Sequence, residues 1–409
     1  MILVGIKQIS CIDGVLKSSP DDFVVDELML YEPCGEGEHL YLSVRKTNMS
    51  HDELVRQIAR EFGVSKRDVG VAGRKDLRAV TTQMISVYLP RKEISTPETI
   101  GSIEVLASNW HTNKLRLGHL SGNRFSIRLR EIDHRNPRNP RNPQTYELIK
   151  ERFFSLSQTG LPNLFGPQRF GNHGNNHKLG LAVILEDWDA VVKELLCGEE
   201  RHHSFAKEGE YKKAVDAWPF GQPAQRNVLE ALAHGKSPEQ ACKTIAKSLR
   251  KLWVNAFQSA VFNEVLGCRL KDGTWNTILE GDVVWNHEGG GRTFVATPED
   301  VRSVAIEERI STFSISPTGP LWGAKMRLPT ENVLKLEQSV LSSFDVDAEH
   351  LAKIKKIAKG ARRPLRVQVA NQVMEVGADH VGDFVELKFE LPAGSYATVV
   401  IDKLLRGDV

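Results

Sequence analysis

The stretch Val71–Gln83 reads Val-Ala-Gly-Arg-Lys-Asp-Leu-Arg-Ala-Val-Thr-Thr-Gln, and it constrains the chain most. It sets one carboxylate, Asp76, among Arg74, Lys75 and Arg78. Gly73, just before, lets the backbone turn sharply. Thr81 to Leu89 is rich in β-branched residues and alternates in polarity, so it is expected to be a strand. The segment reads as strand, tight basic turn with one Asp at its tip, strand. A carboxylate on such a turn can face a ligand and still be fixed. Cations around it keep it ionised and attract a polyanion. The other use of Asp in a turn is to bond its own backbone.

The 409 residues are 41% hydrophobic, enough for large cores and two domains. The net charge of +2 is no argument for nucleic acid by itself, so the distribution of cations matters. Cys11, Cys34, Cys197, Cys242 and Cys268 are scattered, with no C-x-x-C pair, so neither a zinc site nor a disulfide framework is indicated. No phosphate loop, strand-linked G-x-G-x-x-G or H-E-x-x-H is present, and Gly289–Gly291 reads as a hairpin turn. No signal peptide and no run of ~20 apolar residues is seen, so a reducing cytoplasm is expected.

Strands are expected at Phe23–Glu27, His39–Val44, Val105–Ala107, Leu115–Leu117 and Phe125–Leu129. A helix follows the capping box Ser50-x-x-Glu53 and stops at Gly63. In the strand at 125–129, Phe125, Ile127 and Leu129 share one face, and core packing alone would explain Phe125. Trp188–Lys251 is helical in pattern, with His202 and His203 expected on a solvated surface. Leu252–Leu266 is a strong helix whose Asn255, Ser259 and Asn263 form a polar stripe, either buried and bonded or wet. Strands return at Arg366–Val369 and Phe384–Leu391, and Ser395 is placed to cap a last helix. Basic residues gather at Lys114–Arg141 and again at Lys353–Arg366. The repeat Asn136–Pro143 reads as an exposed basic loop, either a solvated linker or a phosphate-contacting arm.

Six stretches, in order, resemble the TruD family of tRNA pseudouridine synthases. They are Lys17-x-x-Pro-x-Asp-Phe-x-Val, Ala72-Gly-x-Lys-Asp-x-x-Ala-Val-Thr-x-Gln83, Gly122-Asn-x-Phe125, Pro162-Asn-Leu-Phe-Gly-Pro-Gln-Arg-Phe-Gly171, Ala256-x-Gln-Ser-x-x-Phe-Asn263 and Pro392-Ala-Gly-Ser-Tyr-Ala-Thr-Val399. Thr318–Gly323 resembles a Gly-rich family loop more weakly, and Asp402-Lys403 departs from the usual Arg-Glu, so no role is carried to that end.

The resemblance implies an α+β fold. A pseudouridine synthase catalytic domain with a mainly antiparallel sheet would comprise residues 1–155 and 365–409, with a mixed α/β TruD domain inserted at 160–362. The implied reaction isomerises one uridine of tRNA, at position thirteen in bacterial members, to pseudouridine. Asp76 would be catalytic, as nucleophile or base, with Lys17 pairing with it. Phe125 would stack on the flipped base, and Asn123 would support the catalytic loop. Asn163, Gln168 and Arg169 would bind substrate or brace the site. Both basic clusters would hold the tRNA backbone. No cofactor, metal, membrane or protein partner is implied, and a monomer is expected. The alternative is a catalytically inactive RNA-binding or chaperone-like relative, against which the retention of Lys17, Asp76, Asn123 and Phe125 together argues.

Overall fold

A computed structural model describes residues 15–75, 77–90, 95–131 and 143–407. Asp76 and residues 136–142 of the Asn-Pro-Arg repeat lie outside the described residues. The chain divides into two compact units, residues 1–161 with 367–409, and residues 162–366.

The first unit is built on one nine-stranded sheet. Its strands are β1 (Phe23–Met29), β2 (His39–Thr47), β3 (Val69–Val71), β4 (Val80–Tyr88), β5 (Thr99–Ile100), β6 (Ile103–His111), β7 (Leu120–Arg130), β8 (Ala370–Asp379) and β9 (Gly382–Pro392). Their order is β8-β9-β7-β1-β4-β2-β6-β5, with β3 also on β4. Only β1 and β4 pair in parallel; the other pairs are antiparallel. The mainly antiparallel α+β expectation is met. The segment at Leu115–Leu117 is not a strand: it is irregular backbone, with the Leu115 N–H held by the Ser86 hydroxyl at 2.9 Å.

Strand alternation gives the sheet one covered face. Phe125 lies opposite Phe389 on one side and Val25 on the other, Val25 opposite Thr81, and Thr81 opposite Lys46. Along this face, α2 (Pro143–Thr159) and α3 (Ala397–Arg406) bury Phe153, Ile149, Val400 and Leu404 against β1, β7 and β9. Helix α1 (His51–Glu61) buries Leu54 and Ile58 against β2 and β4. Its Ser50 cap accepts from the Glu53 N–H at 3.2 Å, but the Glu53 carboxylate turns to Gln57 and Arg56, so only half of the capping box forms. The cap of α3 is Tyr396, not Ser395. Ser395 instead closes the preceding turn through its N–H to the Pro392 carbonyl at 3.2 Å.

The second unit packs helices around the 25-residue helix Lys247–Lys271, which buries Trp253, Phe257 and Phe262. Its four-stranded sheet contains Val283–Asn286, Arg292–Val295, Ile315–Leu321 and Ala361–Pro364. Gly289–Gly291 makes the expected turn between the first two of these. Thr318–Leu321, expected to be a loop, is strand, because Gly319 fits where a side chain would meet Phe262 at 2.9 Å. His202 is not solvated either: it is 8% exposed and meets the Trp218 ring edge-on at 4.5 Å. Burial pushes its pKa down.

Candidate active site

The covered face of the first unit has a polar interruption between its two apolar cores. The inward positions of β1 run Phe23, Val25, Glu27, and those of β7 run Leu129, Ile127, Phe125, Asn123. Glu27 stands directly opposite Asn123. Beside them, β4 presents Thr81 and Gln83 and β2 presents Lys46, all buried. A carboxylate at such a position needs a cation. Lys75 supplies it from the loop: its Nζ is 2.9 Å from Glu27 Oε1, and the two side chains are 5% and 1% exposed. The ammonium also donates to Asn123 Oδ1 at 2.5 Å, and the Met84 N–H donates to Glu27 Oε2 at 3.0 Å.

The glycines of two sequence motifs make room for this clamp. A Cβ at Gly73 would lie 3.1 Å from Glu27 Oε1, and one at Gly122 would lie 2.3 Å from the Leu391 carbonyl oxygen. The residue before Asp76 is therefore anchored to β1 and β7. Sequence reasoning misses Glu27 and Lys75 as site residues. The signal for them is an acid at the third inward position of an alternating strand.

Lys17 stands at φ 62°, left-handed backbone that costs a non-glycine residue about 1–2 kcal/mol. Its ammonium lies 3.9 Å from the centroid of the Phe23 ring. Phe23 meets Phe125 edge-on at 6.2 Å, and Phe125 stacks on Phe389 at 5.4 Å. Phe125 is only 6% exposed. Its strand face is covered by α2 and α3, so core packing accounts for its burial. The turn after Lys17 is tied down by Asp22, whose Oδ2 accepts from the Ser19 N–H at 2.9 Å while Oδ1 accepts from Arg130 Nε at 2.8 Å. Arg130 also binds Asp379 at 2.6 Å and holds that carboxyl well below the usual range.

Asn163, Gln168 and Arg169 lie in the second unit. Asn163 is 5% exposed; its amide donates to the Pro364 carbonyl at 2.9 Å, and Arg363 donates to its side-chain oxygen. Arg169 Nε donates to Ser259 Oγ at 2.9 Å, and Asn263 exchanges hydrogen bonds with the Phe165 backbone at 2.9 and 3.0 Å. The stripe on the long helix is thus a bonded seat for the 163–170 loop. Gln168 is exposed.

Both basic clusters shrink on folding. Arg124 pairs with Glu390 at 2.8 Å, Arg128 with Asp379 and Glu386, and Arg130 is buried. In the second cluster Arg362 forms a buried pair with Glu337 at 2.7 Å. Arg366 is 2% exposed over the Phe313 ring, and Arg363 lies over Phe165. Lys353 reaches Glu186 at 3.5 Å, which leaves Lys355, Lys356 and Lys359 on the surface.

Among the described residues no group of His, Cys, Asp and Glu is arranged to hold a metal, and no helix is long and apolar enough to cross a membrane. The family model described as tRNA pseudouridine synthase D (TruD) matches residues 4–404. The chain belongs to the TruD family. Among similar TruD proteins, tRNA pseudouridine synthase D of Geobacter sulfurreducens is 37% identical over 411 residues, covering 96% of this chain and 94% of the relative. That of Syntrophotalea carbinolica is 34% identical over 408 residues, covering 97% of each. A crystal structure assigned to TruD of Methanosarcina mazei superposes with a TM-score of 0.78 at 26% identity, covering 98% of this chain and 95% of that one.

Proposed function

We propose that this TruD protein converts a uridine of tRNA, the one at position thirteen, to pseudouridine in the cytoplasm. The observation that carries the reading is 37% identity to a tRNA pseudouridine synthase D across nearly the whole of both chains. In this reading the C1′–N1 bond breaks, the uracil turns and C5 joins C1′; the proton lost from C5 is balanced by one gained at N1. Asp76 acts at the sugar through its carboxylate, as nucleophile or base. The target base must leave its stack to reach it. Lys17 keeps the carboxylate ionised, while Asn123, through Lys75, fixes the loop. Phe125 serves by backing the Phe23 ring that carries the Lys17 ammonium. Residues 160–362 form the TruD domain, in which Asn163 and Arg169 brace the 163–170 loop and Gln168 faces solvent. Lys355, Lys356 and Lys359 meet tRNA phosphates.

The test incubates the full chain with bulk unmodified tRNA and maps pseudouridine chemically. One new pseudouridine is expected, absent with Asp76→Asn although that variant still binds tRNA. No pseudouridine with the unaltered chain would overturn the reading. Wild-type turnover by Asp76→Asn would remove Asp76 from it.

A further inference from the structure

The first unit also carries a pocket of about 420 Å³, lined by Lys17, Ser18, Ser19, Pro20, Asn48, Leu77 and Arg78. None of these lining residues is acidic. The nearest carboxylate along the 17–22 turn that is buried, Asp22, has both oxygens committed to Ser19 and Arg130. Two residues of the rim, Lys17 at φ 62° and Asn48 at φ 49°, hold left-handed backbone without being glycine. Such conformations persist where surrounding structure imposes them, and they gather at binding sites.

The side chains around this pocket are donors. Arg78 is exposed and makes no ion pair or side-chain hydrogen bond among the described residues, although it follows Asp76 by two positions. Ser19 Oγ accepts from the Asp21 N–H at 3.1 Å, which leaves its own hydroxyl proton to give away. Ser18 and Asn48 add a second hydroxyl and an amide. Pro20 and a 53%-exposed Leu77 form the apolar part of the wall. A guanidinium with hydroxyl and amide donors is a match for a phosphodiester, whose two free oxygens accept in a fork.

We infer that this pocket is a phosphate subsite. It takes a backbone phosphodiester of the RNA next to the reacting uridine, with Arg78 as the principal ligand and Ser18, Ser19 and Asn48 as supporting donors. The inference rests on the reading of Asp76 as the catalytic carboxylate, because that reading puts the reacting nucleotide within two residues of Arg78. A phosphate held here would fix the sugar of the extruded nucleotide, and Leu77 would stand beside the gap that the base leaves.

The test uses the full chain and a synthetic substrate RNA in which one phosphate at a time, around the mapped uridine, is replaced by an uncharged methylphosphonate. Arg78→Gln is expected to lower RNA affinity roughly tenfold at low salt, and to reduce the slope of log K against log salt by about one. Arg78→Lys should recover part of both. For the unaltered chain, one methylphosphonate should cause a comparable loss, and Arg78→Gln should be indifferent to that same substitution. Melting temperatures should match, since Arg78 is exposed.

Wild-type affinity and slope in Arg78→Gln would overturn the inference. So would a loss that is the same whichever phosphate is neutralised, since that marks a diffuse surface charge. Asp76→Asn run alongside separates the two ideas. Turnover by Asp76→Asn would defeat the catalytic reading, and with it the proximity argument. An inert Asp76→Asn with an unaffected Arg78→Gln would defeat the subsite alone.

Discussion

Removing the Glu27 carboxylate should loosen the loop that ends at Asp76. In Glu27→Ala the Lys75 ammonium keeps its 5%-exposed position with only Asn123 to receive it, and the Met84 N–H loses its acceptor. Breaking a buried pair by deleting one partner costs ~3–5 kcal/mol. At ~2–4 °C per kcal/mol for a unit of this size, the first unit should melt roughly 6–20 °C lower. Glu27→Gln keeps one acceptor oxygen, enough for the Met84 N–H or the Lys75 ammonium but not both, so it should cost less than Glu27→Ala.

The informative variant is the double Glu27→Leu, Lys75→Met. Replacing a buried ion pair by apolar side chains of similar size is often neutral or stabilising. Stability should therefore return, while the single-turnover rate on tRNA stays depressed because nothing now ties the loop to β1 and β7. Hydrogen exchange followed peptide by peptide reads the first unit without interference from the second. Rapid-quench turnover reads the chemistry. A double variant that regains both stability and rate would refute the positioning argument. So would a Glu27→Ala protein with wild-type exchange across β1 and β4.

Phe125→Ala should cost ~3–5 kcal/mol, as for a buried aromatic, while Phe125→Leu should cost less; differential denaturation of the two units checks this. Arg362→Ala, which leaves Glu337 buried alone, should destabilise the second unit by ~3–5 kcal/mol, whereas Lys355→Gln with Lys359→Gln should leave melting unchanged and flatten the salt dependence of tRNA binding by about one for each phosphate no longer held. Burial, aided by the Arg366 charge, lowers the His287 pKa below 6.5, so the unfolded chain takes up a proton first as pH falls. Stability of the second unit should then drop as pH is lowered through 6.5, and His287→Gln should flatten that drop in thermal melts across pH.

The β1, β2, β4 and β7 strands were legible because one face of each carries the core, which imposes alternation over much of their length. β8 was not: none of its residues Ala370–Asp379, at the sheet edge, is fully buried, and its apolar residues do not follow the half-buried positions. The motif residues could be placed from the chain alone, but their partners could not. Pairing depends on which strands meet, and β7 meets β9 across most of the sequence. The same cause misleads the reading of charge. Arg124, Arg128 and Arg130 look like a cationic stripe until β9 and β8 bring Glu386, Glu390 and Asp379 against them. Phe125 illustrates a further limit. A motif can mark a residue without saying whether it touches substrate or holds up the residue that does.

The pairing of β7 with β9 also fixes an order of events during synthesis. Arg124 and its partner Glu390 are 266 positions apart. At ribosomal speeds of ~5–20 residues per second, β7 waits roughly 13–53 s for its neighbour. Throughout that interval Phe125 has no Phe389 to stack on, and the β7 edge that will carry β9 is an open template for another strand. The face that bears Asn123 and the Lys75 anchor therefore closes only as the last strand emerges. Premature termination anywhere in the second unit would release a chain with that edge uncovered, prone to aggregate rather than to act as a partial enzyme.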